Sequence, residues 1–234
     1  MQGASARRLI GSELSARERG LLDRRARILD AAEQLIRETG NTDFTVATLA
    51  ERAALSGPTP YNLFGSKAAI LYVLLNRSLD PVVAVERKAS GVADPVTRVL
   101  AAANLAADLF VNDPVFYRPL YQFLLGVGDS EQRPAFLQRS LEFWQRAVGN
   151  LMESVPAPLA MQSVGLARML VMNFVAALEL WVHQELDHQQ FRAQVLYGAA
   201  MLLLGFSSEP QRTALLRQMV AYERQLPKAF NRAG

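Results

Sequence analysis

Hydrophobic residues recur at helical spacing along almost the entire chain. The first clear run lies on one face of a predicted helix and is followed by Gly40, a residue type that favours helix ends; the run contains Ile28, Leu29, Ala32, Leu35 and Ile36. No run of alternating β-branched residues is long enough to predict a strand. The pattern therefore predicts an all-α fold.

Two short helices follow the first one. Thr45 is a good N-cap for a helix over about 46–53, and Ser56 is one for a helix over about 57–64, with a tight turn between them. Ser66 then caps a fourth helix. Two short helices joined by a turn are typical of a helix-turn-helix, whose second helix fits a DNA major groove about 12 Å wide.

In the remainder of the chain, the hydrophobic pattern predicts longer helices. They cover about 95–111, 114–126, 131–153, 158–186, 189–206 and 208–226. A change in composition near 80–94 separates them from the N-terminal segment. The sequence thus predicts three parts, namely a flexible arm over 1–22, a helix-turn-helix domain over 23–80 and a larger helical domain over 81–234.

Composition narrows the class of protein. Half of the 234 residues are hydrophobic, which is enough for a sizeable core, and the absence of cysteine excludes disulfides, thiolate metal sites and a cysteine nucleophile. The N-terminus has no uninterrupted apolar segment of the kind found in secretory signals. The richest apolar segment, 161–182, is interrupted by Arg168, Asn173 and Glu179. We therefore expect a cytoplasmic protein with no membrane span.

Positive charge is concentrated at the start of the chain. The formal net charge is +3, and the first 27 residues alone hold seven arginines against three acidic residues. A basic arm on a nearly neutral body suits a polyanionic partner. A solubilising tail remains the alternative explanation of the arm.

Three stretches of the N-terminal segment resemble the tetracycline-repressor (TetR) family of one-component transcriptional regulators. They are residues 28–36, residues 44–50 and the run Ser-Gly-Pro-Thr-Pro-Tyr-Asn-Leu-Phe-Gly-Ser-Lys over 56–67. Order, spacing and residue types correspond across about residues 24–77. The resemblance implies a DNA-binding helix-turn-helix domain followed by a helical domain for ligand binding and dimerisation.

The resemblance also implies roles for individual residues. Thr45, Tyr61 and Lys67 correspond to positions that contact DNA phosphates, while Asn62 faces the groove and is able to read adenine with two hydrogen bonds. The remaining expected DNA-binding residues lie where the recognition helix faces bases and backbone, and they are Ser56, Gly57, Pro58 and Thr59.

Three positions depart from the family pattern. Pro60 stands at an aliphatic core position, and with Ser56 as the N-cap it would remove one intrahelical hydrogen bond. We therefore expect a short or distorted recognition helix. Leu63 replaces a frequent His or Tyr phosphate contact, and Ala47 has no side-chain group that can hydrogen-bond a base.

Aromatic residues are concentrated in the larger domain, between residues 110 and 181. They either line an apolar ligand cavity or form an ordinary packed core. The resemblance implies a pocket for a small hydrophobic ligand here, and no cofactor. The candidate ligand-binding residues are Phe110, Phe116, Tyr117, Tyr121, Phe123, Trp144, Phe174 and Trp181.

The last two predicted helices are rich in apolar residues, including Leu202, Leu216 and Val220. They suit a helix-pair interface of a homodimer, although a buried helix within one chain would look the same. A two-fold protein presents two recognition helices and therefore matches a palindromic double-stranded operator.

The two histidines are the candidates for metal binding. Glu179, His183 and Asp187 are spaced four residues apart and share one helix face, which suits a divalent-metal or ligand-anchoring site, but a charged helix end or a subunit contact explains them better. We therefore predict no metal site. Nucleotide-binding loops, a nucleophile elbow and a zinc-protease motif are all missing from the sequence, so we expect no enzyme.

Together these features predict a DNA-binding regulator that is released from its operator when a small hydrophobic molecule binds the larger domain. The fourth helix, about 70–80, is the expected coupling element because it joins both parts. The alternatives are an all-α small-molecule-binding protein without DNA-binding activity and an interaction protein that uses the late apolar helices.

Overall fold

The computed structural model describes residues 15–89, 94–154 and 163–226, and within these ranges it contains helices and no strand. The all-α prediction is confirmed. The helices are α1 (Ala16–Thr39), α2 (Val46–Arg52), α3 (Thr59–Phe64), α4 (Lys67–Ser78), α5 (Asp80–Ala89), α6 (Pro95–Val111), α7 (Pro114–Leu125), α8 (Gln132–Val148), α9 (Ser163–Val182), α10 (His188–Leu203) and α11 (Glu209–Glu223), with 3-10 turns over Gly149–Ser154 and Leu204–Phe206.

Helix α1 begins earlier than the sequence pattern suggests. Ser15 and Glu18 form a capping box, in which Glu18 N donates to Ser15 Oγ (3.2 Å) and Ser15 N donates to the Glu18 carboxylate (2.7 Å). Residues 16–22, expected in a flexible arm over 1–22, are therefore helical, while residues 1–14 lie outside the described part. At the other end Gly40 is left-handed, with φ of 67°, as its position predicted.

The N-terminal unit consists of α1 to α4 around a small apolar core. Ile28 and Ile36 of α1, Leu49 of α2 and Leu71 of α4 are all fully buried there. Thr45 and Ser66 cap α2 and α4 as predicted, each accepting a hydrogen bond from the backbone N–H three residues later. Short helices of this kind persist because they are packed and capped.

The larger unit is built on α6, α8, α9 and α10, which pack against one another. Leu170, Trp181 and Phe191 are among its fully buried side chains. Its core is continuous with that of the N-terminal unit, since one hydrophobic cluster extends from Ile28 to Met219. The two units are therefore in direct mechanical contact.

The ends of two predicted helices differ from the sequence-based limits, and one helix was not predicted. The helix expected over 131–153 ends at Val148, because Gly149 adopts a φ of 49° and a 3-10 turn follows. The helix expected up to residue 186 ends at Val182, just before Gln184 with a φ of 63°. Helix α5 lies where the sequence indicated only a change in composition.

One described helix, α9, is long and apolar enough to cross a bilayer, and α6 with α7 would pass the same test only as a pair bent by 96°. Arg168 and Glu179 do not lower the hydropathy of α9 below that limit, contrary to the expectation from sequence. Helix α9 packs between α8 and α10, with Leu170, Leu178 and Trp181 buried. Core helices of proteins outside membranes have the same composition.

Candidate nucleic-acid interface and core pocket

The turn between α2 and α3 is held by a side chain of α1. Ala54 is left-handed (φ 51°), and Leu55 N donates to Ala50 O at 2.9 Å. The Arg27 guanidinium donates to the carbonyls of Ala53 (2.5 Å) and Ala54 (2.8 Å). The turn is therefore held in one conformation by contacts that leave its outer side open.

Replacing Ala54 with glycine is expected to raise the free energy of unfolding by about 1 kcal/mol. A Cβ in the left-handed region costs about 1–2 kcal/mol, and the greater freedom of glycine in the unfolded chain offsets part of the gain. For a chain of this size, that is a rise of about 2–4 °C in Tm.

Ala53→Gly is the matched control for this change. Ala53 is buried and in a helical conformation (φ −76°, ψ −2°), so the same substitution one residue earlier is expected to lower the Tm. Circular dichroism during heating measures both Tm values. A lower Tm for Ala54→Gly than for the wild type would contradict strain in the turn.

Helix α3 is short, as predicted, but it begins later than Ser56. It spans six residues, with Pro58 as its N-cap, and the Ser56 and Thr59 hydroxyls hydrogen-bond each other at 2.7 Å. Pro60 is therefore the second helical residue, where no intrahelical N–H bond is needed. The expected loss of a helical bond at Pro60 was wrong, and its buried ring fills the aliphatic core position.

The outer side of α2, the turn and α3 forms a continuous exposed surface, which we call the recognition face. It contains seven of the eight predicted DNA-binding residues, namely Thr45, Ser56, Gly57, Pro58, Thr59, Tyr61 and Asn62. All are exposed except Thr59, which is half-buried. Tyr61 is 55% exposed although it is a large aromatic residue. Its position is unexplained by packing and favours a contact outside the chain.

The arginines of α1 fall into two groups, those that contact the turn or α3 and those that are exposed to solvent. Arg25 donates to Leu63 O at 2.6 Å and lies over the Phe64 ring, 4.1 Å from its centroid, so it holds α3 as Arg27 holds the turn. Arg17, Arg19 and Arg24 are exposed. All of them belong to the basic first 27 residues, which suit a polyanionic partner.

Lys67, the eighth predicted DNA-binding residue, points inward. Its ammonium group donates to Thr42 O and, at 2.8 Å, to Phe44 O, and it lies over the Phe44 and Phe123 rings. Desolvation lowers the pKa of Lys67. Its donors are directed at the loop that precedes Thr45 rather than at the recognition face.

Helix α7 joins the N-terminal unit to the larger one. Arg37 of α1 forms an ion pair with Asp113 at 2.7 Å and lies over the Phe116 ring. The Tyr117 hydroxyl donates to Ser78 O at 3.4 Å, and burial raises its pKa. These contacts tie α7 to both α1 and α4.

An apolar cavity of about 60 Å³, which we call the core pocket, lies among α5 to α9. Four of the eight aromatic residues predicted to bind ligand line it: Phe110, Tyr121, Trp144 and Phe174. Tyr121 is buried, and desolvation raises its pKa well above the usual range.

The other four predicted residues lie outside the pocket lining. Phe116 and Trp181 are packed in the core, where Phe116 lies under Arg37 and Trp181 stacks on Phe191. Tyr117 and Phe123 contact the N-terminal unit instead. Aromatic content in the sequence does not distinguish a side chain that lines a cavity from one that is packed in the core.

Besides the predicted Trp144, helix α8 contributes four residues to the pocket that were not among the predicted ligand-binding residues. Phe136, Arg139, Ser140 and Phe143 all line it from one side of that helix. Their spacing of three and four residues is the available sequence signal. An arginine within that stripe distinguishes it from an ordinary core face.

The late helices divide into a buried and an exposed part. Most apolar residues of α10 are buried within the chain, as are Leu215 and Met219 of α11. Leu216 and Val220, four residues apart on α11, are 47% and 49% exposed, and Met201 of α10 is also exposed. We call these three exposed apolar residues the α10–α11 face.

The acidic and histidine residues near the end of α9 do not share one helix face. The helix ends at Val182, and Asp187 instead caps α10 in a capping box with Gln190. Among the described residues there is no group of three or more His, Cys, Asp or Glu that could hold a metal ion.

Residues 28–72 match the family model for bacterial regulatory proteins of the tetR family. No curated protein matches the chain. Among solved structures, a TetR transcriptional regulator from Rhodococcus sp. RHA1 is similar, with a TM-score of 0.61, 17% identity and 80% of this chain and 100% of that chain covered.

Two further solved structures have the same fold. SmeT, the repressor of the Stenotrophomonas maltophilia multidrug efflux pump SmeDEF, aligns with a TM-score of 0.60 and 21% identity over 81% of this chain and 94% of its own. A tetR-family transcriptional regulator from Streptomyces coelicolor aligns with a TM-score of 0.52 and 18% identity over 86% and 89%. Residues 28–72 are therefore a DNA-binding domain of the tetR family of bacterial regulatory proteins, and the chain has the fold of that family's transcriptional regulators.

Proposed function

We propose that the chain is a cytoplasmic transcriptional repressor that binds a palindromic operator as a homodimer and leaves it when a small hydrophobic molecule occupies the core pocket. The observation that carries the proposal is the recognition face, whose polar and aromatic groups are exposed while its supporting contacts are directed inward. SmeT, which has the same fold, is a repressor, and repression is assigned here by that analogy. We expect no catalytic activity.

The recognition face offers contacts of two kinds. Thr45 and the Tyr61 hydroxyl are suited to phosphate oxygens, which position a protein on DNA without reading sequence. Asn62 lies next to Tyr61 on α3, is exposed, and is suited to an adenine edge. We assign Lys67 a supporting function, because its ammonium group holds the loop before Thr45 by two carbonyl contacts.

Coupling between pocket and DNA would run through α4 and α7. Helix α4 begins with Lys67 in the N-terminal unit (α1 to α4), which we also call the recognition unit, and its C-cap residue Leu79 lines the core pocket. A ligand that favours a different position of α4 would change the spacing of the two recognition faces in a dimer. This is a shift between two populations, driven by the difference in ligand affinity for them.

Tyr61→Ala is expected to weaken operator binding about tenfold, which corresponds to about 1.4 kcal/mol for one lost contact to a charged phosphate. Tyr61→Phe should lose most of the same affinity if the hydroxyl makes that contact. Fluorescence anisotropy on the operator obtained by selection from random duplexes measures both changes.

Two comparisons make this experiment decisive. Tyr222→Phe removes a hydroxyl from α11 and is expected to leave operator affinity unchanged, and Asn62→Ala is expected to relax the preference at one operator position. Unchanged affinity for both Tyr61 variants would contradict the assigned role. The absence of salt-dependent binding to any duplex would favour a small-molecule-binding protein without DNA-binding activity.

A further inference from the structure

The lining of the core pocket is mostly apolar and includes one charged side chain. Among the described residues that line it, Arg139 is the only one with a formal charge. The other residues of its rim and walls are mostly aliphatic or aromatic. An arginine in such surroundings is a directional donor for a planar oxyanion, because its guanidinium matches a carboxylate with two parallel hydrogen bonds.

Arg139 connects three helices. From α8 its guanidinium donates to Asn76 O at the end of α4 (2.6 Å) and forms an ion pair with Asp80 at the start of α5. It therefore lies across the junction between α4 and α5, at the point where α4 enters the larger unit.

The ion pair with Asp80 is easily exchanged. The Asp80 side chain is 65% exposed, while that of Arg139 is 29% exposed. Ion pairs with such a hydrated partner contribute only about 0–1 kcal/mol. The carboxylate of a ligand in the pocket would replace the hydrated Asp80 carboxylate as the partner of Arg139. The apolar part of the same ligand would be removed from water.

A polar cleft adjoins the core pocket at this arginine. Asp80, Arg139, Glu142 and Arg146 line the cleft, and Arg139 and Val83 belong to both the cleft and the pocket. The arginine thus marks the boundary between a polar entrance and an apolar interior. An amphipathic molecule would place its polar end at that boundary.

Resting on the function proposed above, we propose that the core pocket binds small amphipathic carboxylates, with the apolar part among the aromatic side chains and the carboxylate on Arg139 in place of Asp80. Loss of the Arg139–Asp80 pair frees the start of α5 from α8. Because Arg139 also holds the end of α4, binding changes the support of the helix that carries the recognition unit. The same exchange therefore selects the ligand and transmits its presence.

The test compares each carboxylate with its uncharged carboxamide, which has nearly the same shape. Decanoate with decanamide and 2-naphthoate with 2-naphthamide are titrated calorimetrically into the full chain, as wild type, Arg139→Gln and Arg212→Gln. Arg212 pairs with Glu209 on α11, away from the pocket, and serves as the matched control. Operator affinity is measured in parallel with and without each compound.

In the wild type and in Arg212→Gln, the carboxylate of at least one pair is expected to bind at least tenfold more tightly than its amide, about 1.4 kcal/mol. In Arg139→Gln the two should bind equally, with the affinity of the amide retained as evidence that the pocket is intact. Asp80→Asn should bind the carboxylate more tightly than wild type does. Equal affinities in the wild type, a preference that persists in Arg139→Gln, or no binding of any of the four compounds would overturn the proposal.

The two proposals fail in different ways. Carboxylates that bind through Arg139 without changing operator affinity would refute ligand-controlled release and leave the carboxylate site standing. Amides that release the operator as well as carboxylates do would refute the carboxylate site and leave the regulator standing.

Discussion

Replacing Leu216 and Val220 together with glutamate is expected to yield a folded monomer whose operator affinity is lower by about 100-fold or more, since two linked recognition units gain about 10²–10⁴ in affinity over one. Both side chains are about half exposed in the single chain, and no described residue covers them. Two carboxylates on the α10–α11 face would have to be buried without partners if the homodimer formed there.

The reason for choosing this face is the difference between the two late helices. Helix α10 buries its apolar residues against α6 and α9, so little of it remains for a partner. Helix α11 buries only Leu215 and Met219 and leaves Leu216 and Val220 toward solvent. Apolar residues four apart on one helix form a stripe that a second copy can cover in a symmetric helix pair.

The control is Ala214→Glu with Gln218→Glu. These exposed residues have the same spacing and lie on the other side of α11, so they add nearly the same charge away from the α10–α11 face. Sedimentation velocity gives the oligomeric state and anisotropy gives the operator affinity. A dimer that persists in the Leu216 and Val220 variant would place the interface elsewhere, and equal losses in both variants would indicate repulsion of DNA by charge alone.

Local signals in the sequence predicted the recognition unit well. Thr45, Gly40 and Ser66 mark helix ends through their own side chains or conformational freedom, and such effects depend on few neighbours. Ser56 failed as a cap because Pro58 and Pro60 together shift the helix start. With the helix starting at Thr59, Pro58 is the N-cap and Pro60 the second helical residue, and neither position needs an intrahelical N–H bond. A cap preference alone does not reveal this start.

Long cationic side chains were the least predictable part of the site. Arg25, Arg27 and Lys67 all donate to backbone carbonyls of the recognition unit, 23 to 38 residues away in sequence. Arg25 precedes the buried pair Ile28 and Leu29 by three and four residues, so its position on the inner side of α1 could have been read from the helical period. Lys67 offers no comparable signal, because the carbonyls that it binds belong to a loop.

Four of the six aromatic residues that line the core pocket were among the eight ligand-binding candidates named from the sequence. Whether an aromatic residue lines a cavity depends on which helices cross near it, and that is a property of the tertiary structure. Phe110 and Phe116 belong to the same aromatic-rich segment of the sequence, yet Phe110 lines the pocket and the ring of Phe116 packs against Arg37. Nothing in the sequence distinguishes Arg139 from other arginines, because its contact with the end of α4 exists only in the tertiary structure.

Arg98→Met is expected to lower the free energy of unfolding by about 3 kcal/mol, because each buried acceptor left without its charged donor costs about 1–3 kcal/mol. Arg98 lies on α6 and is buried. Its guanidinium donates to Ala147 O (2.8 Å), Val148 O (3.2 Å) and Asn150 Oδ1 (3.2 Å), so it caps the C-terminal end of α8. Methionine keeps the length and apolar stem and removes the donors. Urea unfolding at fixed protein concentration measures the loss.

Gly149 provides a second, independent measurement at the same site. A Cβ at this residue would lie 2.4 Å from Arg98 Nη2, and its φ is 49°, so Gly149→Ala is expected to be destabilising as well. In the double variant the contact with Nη2 no longer exists, so the two losses should sum to less than their separate values by about 1 kcal/mol or more. Arg52→Met removes an exposed pair with Glu38 and should cost under about 1 kcal/mol. Additive losses for Arg98 and Gly149, or equal losses for Arg98 and Arg52, would contradict the view that one buried guanidinium holds the end of α8 next to the pocket.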